Sequence, residues 1–196
     1  MFSVFGEDKM NVYDWDNTIY QGDSTFGLIK YCYKKRPKSL LSLPRTLVCG
    51  ILYLIGIMPK KKFKETMFSM FKLIPDIDKV VDDYVHSHLS LVKPWYYQQQ
   101  RSDDLVISAS PEFLVKAFCK EMGITNVIAS PVNIHTGKYE GDNCHGEEKV
   151  LRFKQVFQSG SIDSFYSDSY SDSPLAKLAK NAYVVKGNER KAWNKE

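Results

Sequence analysis

Two aspartates separated by one residue stand where the first predicted strand ends, in the segment Asp14-Trp15-Asp16-Asn17-Thr18. If the chain turns there, both carboxylates can surround one phosphoryl group, where one could attack phosphorus while the other handles protons. The same pattern also fits an Asx-rich loop that only caps a strand. The segment alone does not separate these two interpretations.

Hydroxyl and amine side chains follow further along the chain. Ser108, Ala109 and Ser110 precede Pro111, so a hydroxyl and the free amides of a helix N-terminus would form an anion site there. Taken alone, this segment favours the simpler interpretation of a serine that caps a helix. Lys149 lies in the first turn of another predicted helix, where a cation opposes the helix dipole unless an anion is close.

A second acidic pair follows the fourth predicted strand. The strand ends together would then deliver six polar side chains to one edge of a sheet, namely Asp14, Asp16, Ser108, Lys149, Asp168 and Asp172. Ligands of open α/β sheets bind at this carboxyl edge. Clustered carboxylates without His or Cys suit a hard cation, Mg²⁺ above all. The metal, the amine and the helix amides would neutralise a phosphoryl group under attack.

The elements that must position these residues are short apolar strands separated mostly by helical patterns. The strands are predicted at residues 10–14, 104–108, 126–129, 164–168 and 182–185. This alternation predicts an α/β fold with a Rossmann-like, doubly wound parallel sheet. Helices are predicted to begin at Ser110 with Pro111, and at Ser173 with Pro174, the second with Leu178 facing inward.

Nearly 90 residues between the first two predicted strands show helical patterns and no convincing strand. An apolar stripe over residues 77–92 is the clearest example. We therefore predict an inserted α-helical cap at 21–98, and a core domain made of 1–20 and 99–196. Residues 132–140 are predicted to form a small hairpin beside the sheet.

Composition excludes several classes of protein. The 196 residues are 43% hydrophobic and 26% charged, which excludes collagen-like and wholly disordered chains. The four cysteines show no zinc-type spacing, and the N-terminus lacks the pattern of a secretory signal, so a cytoplasmic location is expected. A formal net charge of +4 is too small to indicate a nucleic-acid partner, and none is expected.

The positive charge is concentrated in the predicted cap. Residues 24–64 contain ten Lys or Arg and no Asp or Glu, and they enclose thirteen uncharged, mostly apolar residues at 46–58. That apolar run is short of the ~20 residues that span a bilayer. It would suit peripheral contact with an anionic membrane, at the inner face. The alternative, slightly favoured by the sequence, is a core helix of the cap with solvated lysines at its ends.

Together the four motifs resemble those of the haloacid dehalogenase superfamily, in its phosphoserine-phosphatase-like subgroup with a helical cap. DWDNT, ISAS, CHGEEK and YSDSYSDSPL match motifs I to IV, and the resemblance covers nearly the whole chain. The basic and apolar stretch also resembles the cap of the C-type phosphatidylglycerophosphate phosphatases. The resemblance implies a Mg²⁺-dependent phosphatase with a doubly wound core.

The resemblance also implies a role for each matching position. Asp14 would be the nucleophile that forms an aspartyl-phosphate, and Asp16 the general acid and base. The phosphoryl group would be bound by Ser108, Ala109 and Lys149, with Thr18 steadying the motif I loop. Mg²⁺ would be held by Asp14, the backbone carbonyl of Asp16 and Asp168, with Asp172 in support.

Two positions depart from the phosphoserine phosphatase pattern. Asp23 stands where those enzymes carry a glutamate, which makes it the candidate for a substrate contact from the cap, and their cap arginine has no counterpart. The expected substrate is therefore either a small phosphorylated metabolite such as phosphoserine or the phosphate of a phospholipid head group. The alternative is a catalytically silent binding or membrane-surface module, which the intact Asp14 and Asp16 disfavour.

Overall fold

A computed structural model describes residues 9–157 and 161–194 of the chain. Within these ranges six strands form one sheet in the order β3-β2-β1-β4-β5-β6. The strands are β1 (Lys9–Tyr13), β2 (Leu105–Pro111), β3 (Asn126–Ser130), β4 (Ser161–Ser167), β5 (Ala179–Lys186) and β6 (Glu189–Ala192). The first five pair in parallel, which confirms the predicted doubly wound sheet.

The sixth strand was not predicted, and it makes the sheet mixed. β6 runs antiparallel to β5 after a two-residue turn, with Lys186 paired to Glu189. Gly187 in that turn has φ +59°, a backbone conformation that glycine adopts without strain. All four residues of β6 are exposed, so the strand lacks the alternation of apolar and polar residues by which a strand is recognised in a sequence.

Eight α-helices are found in the described ranges. They are α1 (Ser24–Lys35), α2 (Leu43–Leu54), α3 (Lys60–Phe68), α4 (Ile77–His88), α5 (Pro94–Tyr97), α6 (Glu112–Glu121), α7 (Glu147–Val156) and α8 (Ser173–Ala176). Short 3₁₀ turns occupy Pro37–Ser42, Ser69–Leu73, Leu89–Leu91 and Tyr170–Asp172. The helices α1 to α5 lie between β1 and β2, as predicted for the cap. The boundaries at 21 and 98 remain a prediction.

Apolar residues cover both faces of the sheet, which is the usual condition of a parallel sheet. Successive residues of β1 point to opposite faces, so Val12 joins one buried cluster and Tyr13 the other. The Tyr13 cluster also contains Val80 and Tyr84 of the predicted α4 stripe, together with Phe118 of α6. The cap helices therefore share a continuous core with one face of the sheet.

Two predicted helix details are wrong. The helix predicted to begin at Ser110 and Pro111 is present as α6, but it begins at Glu112, because Ser110 and Pro111 continue β2, where Pro111 pairs with Ser130 of β3. The side chain of Leu178 does not face inward and is 40% exposed. The helix that precedes it has only four residues, and the next strand begins at Ala179.

The interpretation of the apolar cap run as a core helix is also wrong. Most of this run lies in α2, which ends at Leu54, and none of the residues of α2 is buried. The predicted hairpin at 132–140 is reduced to a loop with a single antiparallel bridge between Val132 and Tyr139. Gly137 in this loop lies against α3, since a Cβ placed there would stand 2.4 Å from the backbone of Phe68.

Candidate active site

The predicted turn after β1 is present and separates the two aspartates. The amide of Asp14 still follows the sheet and donates to the carbonyl of Tyr166 at 2.8 Å. The next residues fold back, and the amides of Thr18, Ile19 and Tyr20 donate to the carbonyl of Trp15. Asn17 has φ +57° within this turn, a conformation that asparagine tolerates better than most residues.

Lys149 is buried between two carboxylates from different strand ends. Its Nζ lies 2.7 Å from Oδ1 of Asp14 and 2.8 Å from Oδ2 of Asp172. The hydroxyl of Ser167 donates to the same Asp172 oxygen at 2.8 Å. Gly146 immediately precedes α7 with φ 61° and ψ −126°, which directs the first turn of the helix into the site. The two carboxylates are the anions that the unfavourable helix position of Lys149 requires.

The buried network around Lys149 holds one amine and two carboxyl groups, whose pKa values depend on one another. Burial raises the pKa of Asp14, Lys149 opposes that rise, and the carboxylate of Asp172 adds to it. Burial alone would lower the pKa of Lys149, but the carboxylates of Asp14 and Asp172 raise it, so the amine stays charged. One cation thus stands between two carboxylates, and the network keeps an excess of negative charge that a bound cation would offset.

Asp16 accepts hydrogen bonds from α1 of the cap and from β2 of the sheet. Its Oδ1 accepts a hydrogen bond of 2.6 Å from the amide of Ser24, and its Oδ2 accepts one from the hydroxyl of Ser110. Ser110 also contacts the hydroxyl of Thr25 at 2.8 Å. Burial raises the pKa of Asp16 to about 6, although the hydrogen bonds from both serines lower it in part. A carboxyl group with this pKa can gain and lose a proton near neutral pH.

The end of β2 supplies Ser108 and Ala109. The Ser108 hydroxyl oxygen accepts a hydrogen bond from the amide of Ser110 at 3.1 Å. The carbonyl of Ala109 accepts from Nζ of Lys64 at 3.2 Å and from the hydroxyl of Ser130 at 3.0 Å. Ser108 is almost fully buried, so β2 presents these groups at the sheet edge on a fixed backbone.

Thr18 connects the β1 turn to the end of β4. Its Oγ1 accepts a hydrogen bond of 2.9 Å from the amide of Asp168, and its side chain is fully buried. The backbone carbonyl of Asp168 accepts from Nζ of Lys186 at 2.7 Å. Beside Asp168 lies a cavity of about 380 Å³, which is lined by Asn17, Gln21, Gly22, Lys93, Asp168, Val185, Lys186, Gly187 and Asn188.

The donor atoms fit a hard cation better than a transition metal. Among the described residues no cluster of three or more His, Cys, Asp or Glu side chains is arranged to hold a metal ion. The predicted Mg²⁺ set needs fewer, because it combines two carboxylates with a backbone carbonyl. In the described ranges, Oδ1 of Asp14 accepts one hydrogen bond, from Lys149, and the carboxylate of Asp168 accepts none from another residue, so oxygen lone pairs remain available for a cation there.

Two lysines at the site escaped the sequence analysis. Lys64 of α3 reaches the carbonyl of Ala109, and burial together with Lys60 lowers its pKa to about 8. Lys93 is buried, with Nζ bound to the carbonyl of Asn17 and, at 2.7 Å, to that of Gly187. In the sequence, Lys64 is one of several lysines in a basic run, and Lys93 is distinguished only by its place before a proline.

Asp23 has a structural contact that the sequence did not specify. It is the N-cap of α1, and its Oδ1 accepts a hydrogen bond of 2.8 Å from the amide of Phe26. Its side chain is exposed at the cap side of the site, and its charge contributes to the raised pKa of Asp16. A contact between Asp23 and a substrate remains a prediction.

Carboxylates, a buried amine and strand-end hydroxyls at the carboxyl edge of a doubly wound sheet define a class of phosphoryl-handling hydrolases. A family model described as haloacid dehalogenase-like hydrolase matches residues 12–177. The chain therefore belongs to the haloacid dehalogenase-like hydrolase family. It is an enzyme of the phosphatase type, as the sequence predicts.

Known proteins agree with this assignment. A histidinol-phosphatase from Neisseria meningitidis serogroup C (strain 8013) is 26% identical over 199 residues, covering 90% of each chain. A probable phosphatase, Rv3661, from Mycobacterium tuberculosis (strain ATCC 25618 / H37Rv) is 31% identical over 90 residues, which cover 42% of this chain and 31% of that protein.

Two solved structures share the fold. A protein with unknown function from Bordetella pertussis Tohama I superposes with a TM-score of 0.73 at 16% identity, covering 90% of this chain and 89% of that one. A substrate-bound phosphoserine phosphatase complex superposes with a TM-score of 0.52 at 13% identity, covering 91% and 86%. At these identities the likeness concerns the fold alone. In the described ranges no helix is both long and apolar enough to cross a bilayer.

Proposed function

We propose that the chain is a Mg²⁺-dependent phosphomonoester hydrolase that works through an aspartyl-phosphate on Asp14. The observation that supports this most directly is the buried bridge of Lys149 between Asp14 and Asp172. The bridge engages one oxygen of Asp14, and the other accepts no hydrogen bond from the described residues. Asp14 is thereby oriented by one oxygen and reactive through the other.

In the first step Oδ2 of Asp14 attacks phosphorus, and the bond between phosphorus and the leaving oxygen breaks. Asp16 gives the departing alcohol its proton, which a pKa of about 6 allows near neutral pH. In the second step a water attacks the phosphorus of the aspartyl-phosphate, and Asp16 takes up the proton of that water. Inorganic phosphate leaves, and Asp14 returns as a free carboxylate.

Charge on the phosphoryl group is the main barrier to attack by a carboxylate. Bound to Asp14, the Asp16 carbonyl and Asp168, Mg²⁺ would neutralise part of that charge. Lys149 donates to the phosphoryl oxygens from the opposite wall, and Ser108 and the amides near Ala109 complete the anion site. Asp172 and Thr18 hold Lys149 and Asp168 in place without touching the substrate.

The substrate is a phosphate ester whose remaining part faces the cap. Asp23 and Lys64 are charged side chains at that side, and their opposite charges suit a substrate that carries both an amine and an anion beyond its phosphate. Histidinol phosphate and phosphoserine, named by relatives and structural neighbours, both carry an amine. A phospholipid head-group phosphate remains the other substrate class to be tested.

The test is phosphate release from phosphoserine, histidinol phosphate, sugar phosphates, nucleotides and phosphatidylglycerophosphate, with Mg²⁺ and with EDTA. We expect Mg²⁺-dependent release from at least one ester and near-complete loss in Asp14→Asn, since an amide barely nucleophilic at phosphorus replaces the carboxylate. Asp82→Asn, on the exposed side of α4, is the matched control.

Covalent labelling tests the intermediate itself. With a labelled aryl phosphate, whose leaving group needs little protonation, Asp16→Asn should retain labelled phosphate on the protein, in a form released by hydroxylamine, because removal of the aspartyl-phosphate needs the lost base. Full activity of Asp14→Asn would contradict the assignment of the nucleophile. Absence of release from every ester, with intact folding, would favour a silent binding module instead.

A further inference from the structure

Exposed apolar side chains are concentrated on one surface of the cap. Of the fifteen large hydrophobic residues that are exposed in the described ranges, eight lie between positions 40 and 57. These eight, here called the α2 surface, are Leu40, Leu41, Leu47, Val48, Ile51, Leu54, Ile55 and Ile57. Contiguous apolar surface of this kind marks an interaction site in a soluble domain.

Packing on one side of α2 fixes the direction in which this surface faces. The ring of Tyr53 stacks on Phe63 of α3, with ring centroids 5.1 Å apart and planes 5° from parallel. Gly50 lies against the same ring, because a Cβ there would stand 3.4 Å from the Phe63 side chain. Leu47, Ile51 and Leu54 follow one another at helical spacing on the other side, so they form one outward stripe.

Cations flank the α2 surface along the sequence, and no acidic residue occurs between positions 24 and 64. In the described ranges Lys34, Lys38, Arg45 and Lys60 are exposed and form no ion pair. Other cations of the segment are already engaged, for example Lys61 with Asp142 at 2.9 Å. The segment that carries the α2 surface therefore combines exposed apolar side chains with uncompensated positive charge.

We propose that the α2 surface docks on an anionic lipid bilayer. Lipid offers an apolar interior beneath a layer of phosphate, which complements exposed apolar side chains that share a segment with unpaired cations. A second copy of the chain fits less well, because a two-fold pairing of the α2 surfaces would bring two basic segments together. With twelve residues, α2 is about 18 Å long, enough to lie in the interface but not to cross it.

The docked surface lies one helix away from the candidate active site. α3 contacts α2 through Phe63, and the next residue, Lys64, reaches the carbonyl of Ala109. Docking uses none of the residues assigned to phosphate transfer, so the two proposals can fail separately.

The experiment is co-sedimentation of the full chain with phosphatidylglycerol vesicles and with phosphatidylcholine vesicles. We expect binding to the anionic vesicles that weakens as salt rises, since surface attraction is screened within about 8 Å at 0.15 M salt. Loss of Lys38, Arg45 and Lys60 together, each changed to Gln, should weaken binding roughly 100-fold, at about 1 kcal/mol per cation.

A second variant removes the apolar contribution. Leu47→Ser, Ile51→Ser and Leu54→Ser together should reduce vesicle binding at least about tenfold without loss of folding, because all three side chains are already exposed. The matched control carries Leu151→Ser and Val156→Ser, exposed apolar positions of α7 outside the α2 surface. Asp14→Asn should bind vesicles as the unchanged chain does, whichever esters the enzyme hydrolyses.

Absence of binding to phosphatidylglycerol vesicles at low salt would overturn the proposal. Equal binding by the serine variant and the unchanged chain would overturn it as well. A dimer that forms without lipid and dissociates in the serine variant would assign the α2 surface to a second copy of the chain instead.

Discussion

Replacing Lys149 by methionine tests whether the buried bridge holds the site together. Methionine fills a similar volume but carries no charge, so the carboxylates of Asp14 and Asp172 would remain buried without their shared cation. The hydroxyl of Ser167 would still donate to Asp172, but within the described ranges Oδ1 of Asp14 would lose its hydrogen-bond donor. The variant therefore isolates the contribution of one buried amine.

The size of the effect follows from the geometry. Both carboxylate oxygens lie within 2.8 Å of the same nitrogen, so they are at most about 5.5 Å apart. At an effective dielectric constant of about 20, two like charges at that separation repel by about 3 kcal/mol. Removing one partner of a buried ion pair typically costs about 3–5 kcal/mol. We expect a loss of unfolding free energy in that range at pH 8, or roughly 10 °C in Tm.

The loss should shrink as the pH falls. Burial already raises the pKa of Asp14 above its unfolded value, and removing Lys149 raises it further because the amine lowers it. A carboxyl whose folded pKa is raised stabilises the folded state at low pH and loses that contribution as the pH rises through the raised pKa. Lys149 stays protonated at both pH 5.5 and pH 8, so the difference between these conditions reports the carboxylates.

Urea unfolding followed by tryptophan fluorescence at pH 5.5 and pH 8 measures both quantities. Lys154→Met is the matched control, because Lys154 lies on α7, is exposed and forms no ion pair in the described ranges. Adding Asp172→Asn to Lys149→Met should restore part of the stability, since one uncompensated charge disappears. A loss below about 1 kcal/mol, or an equal loss at the two pH values, would refute the reasoning.

Three further predictions concern the turns around the site. Ser110→Ala should raise the pKa of Asp16, because the hydrogen bond from Ser110 lowers that pKa in the unchanged chain. The alkaline limb of the pH profile of kcat for an alkyl phosphate should then move to higher pH by about one unit. If the limb does not move, it reports the titration of another group. Gly146→Ala should lower the free energy of unfolding in urea by about 1–3 kcal/mol, because alanine is strained at the φ of 61°. A steric clash does not contribute, since the new Cβ would meet no atom closer than 3.8 Å. Lys93→Met should leave the carbonyls of Asn17 and of the β5–β6 turn without their donor, costing about 1–3 kcal/mol by the same measurement and speeding amide exchange in the motif I turn.

The strand ends could be predicted from the sequence because each signal is local. Short apolar runs mark the parallel strands, and the parallel arrangement alone brings Asp14, Lys149 and Asp168 to one edge. The helix start at Ser110 is wrong because Ser-Pro is a good helix start in isolation, whereas here Pro111 pairs with Ser130 and keeps the end of β2 extended. The side-chain positions of Lys64 and Lys93 depend on which carbonyls approach them, and such contacts between distant segments leave no pattern in a sequence.

The burial of the apolar run in the cap could not be predicted from the sequence either, and its exposure bears on function. Whether a helix such as α2 is buried depends on how many of its sides are covered, and Phe63 of α3 covers the side with Gly50 and Tyr53. A run with apolar residues on every side fits a core helix and a docking surface equally well until its covered sides are known. The segment that carries the exposed side of α2 also carries the unpaired cations. Phosphate transfer and surface attachment are therefore assigned to separate elements, so a change in α2 should alter where the enzyme is found before it alters how fast it hydrolyses a soluble ester.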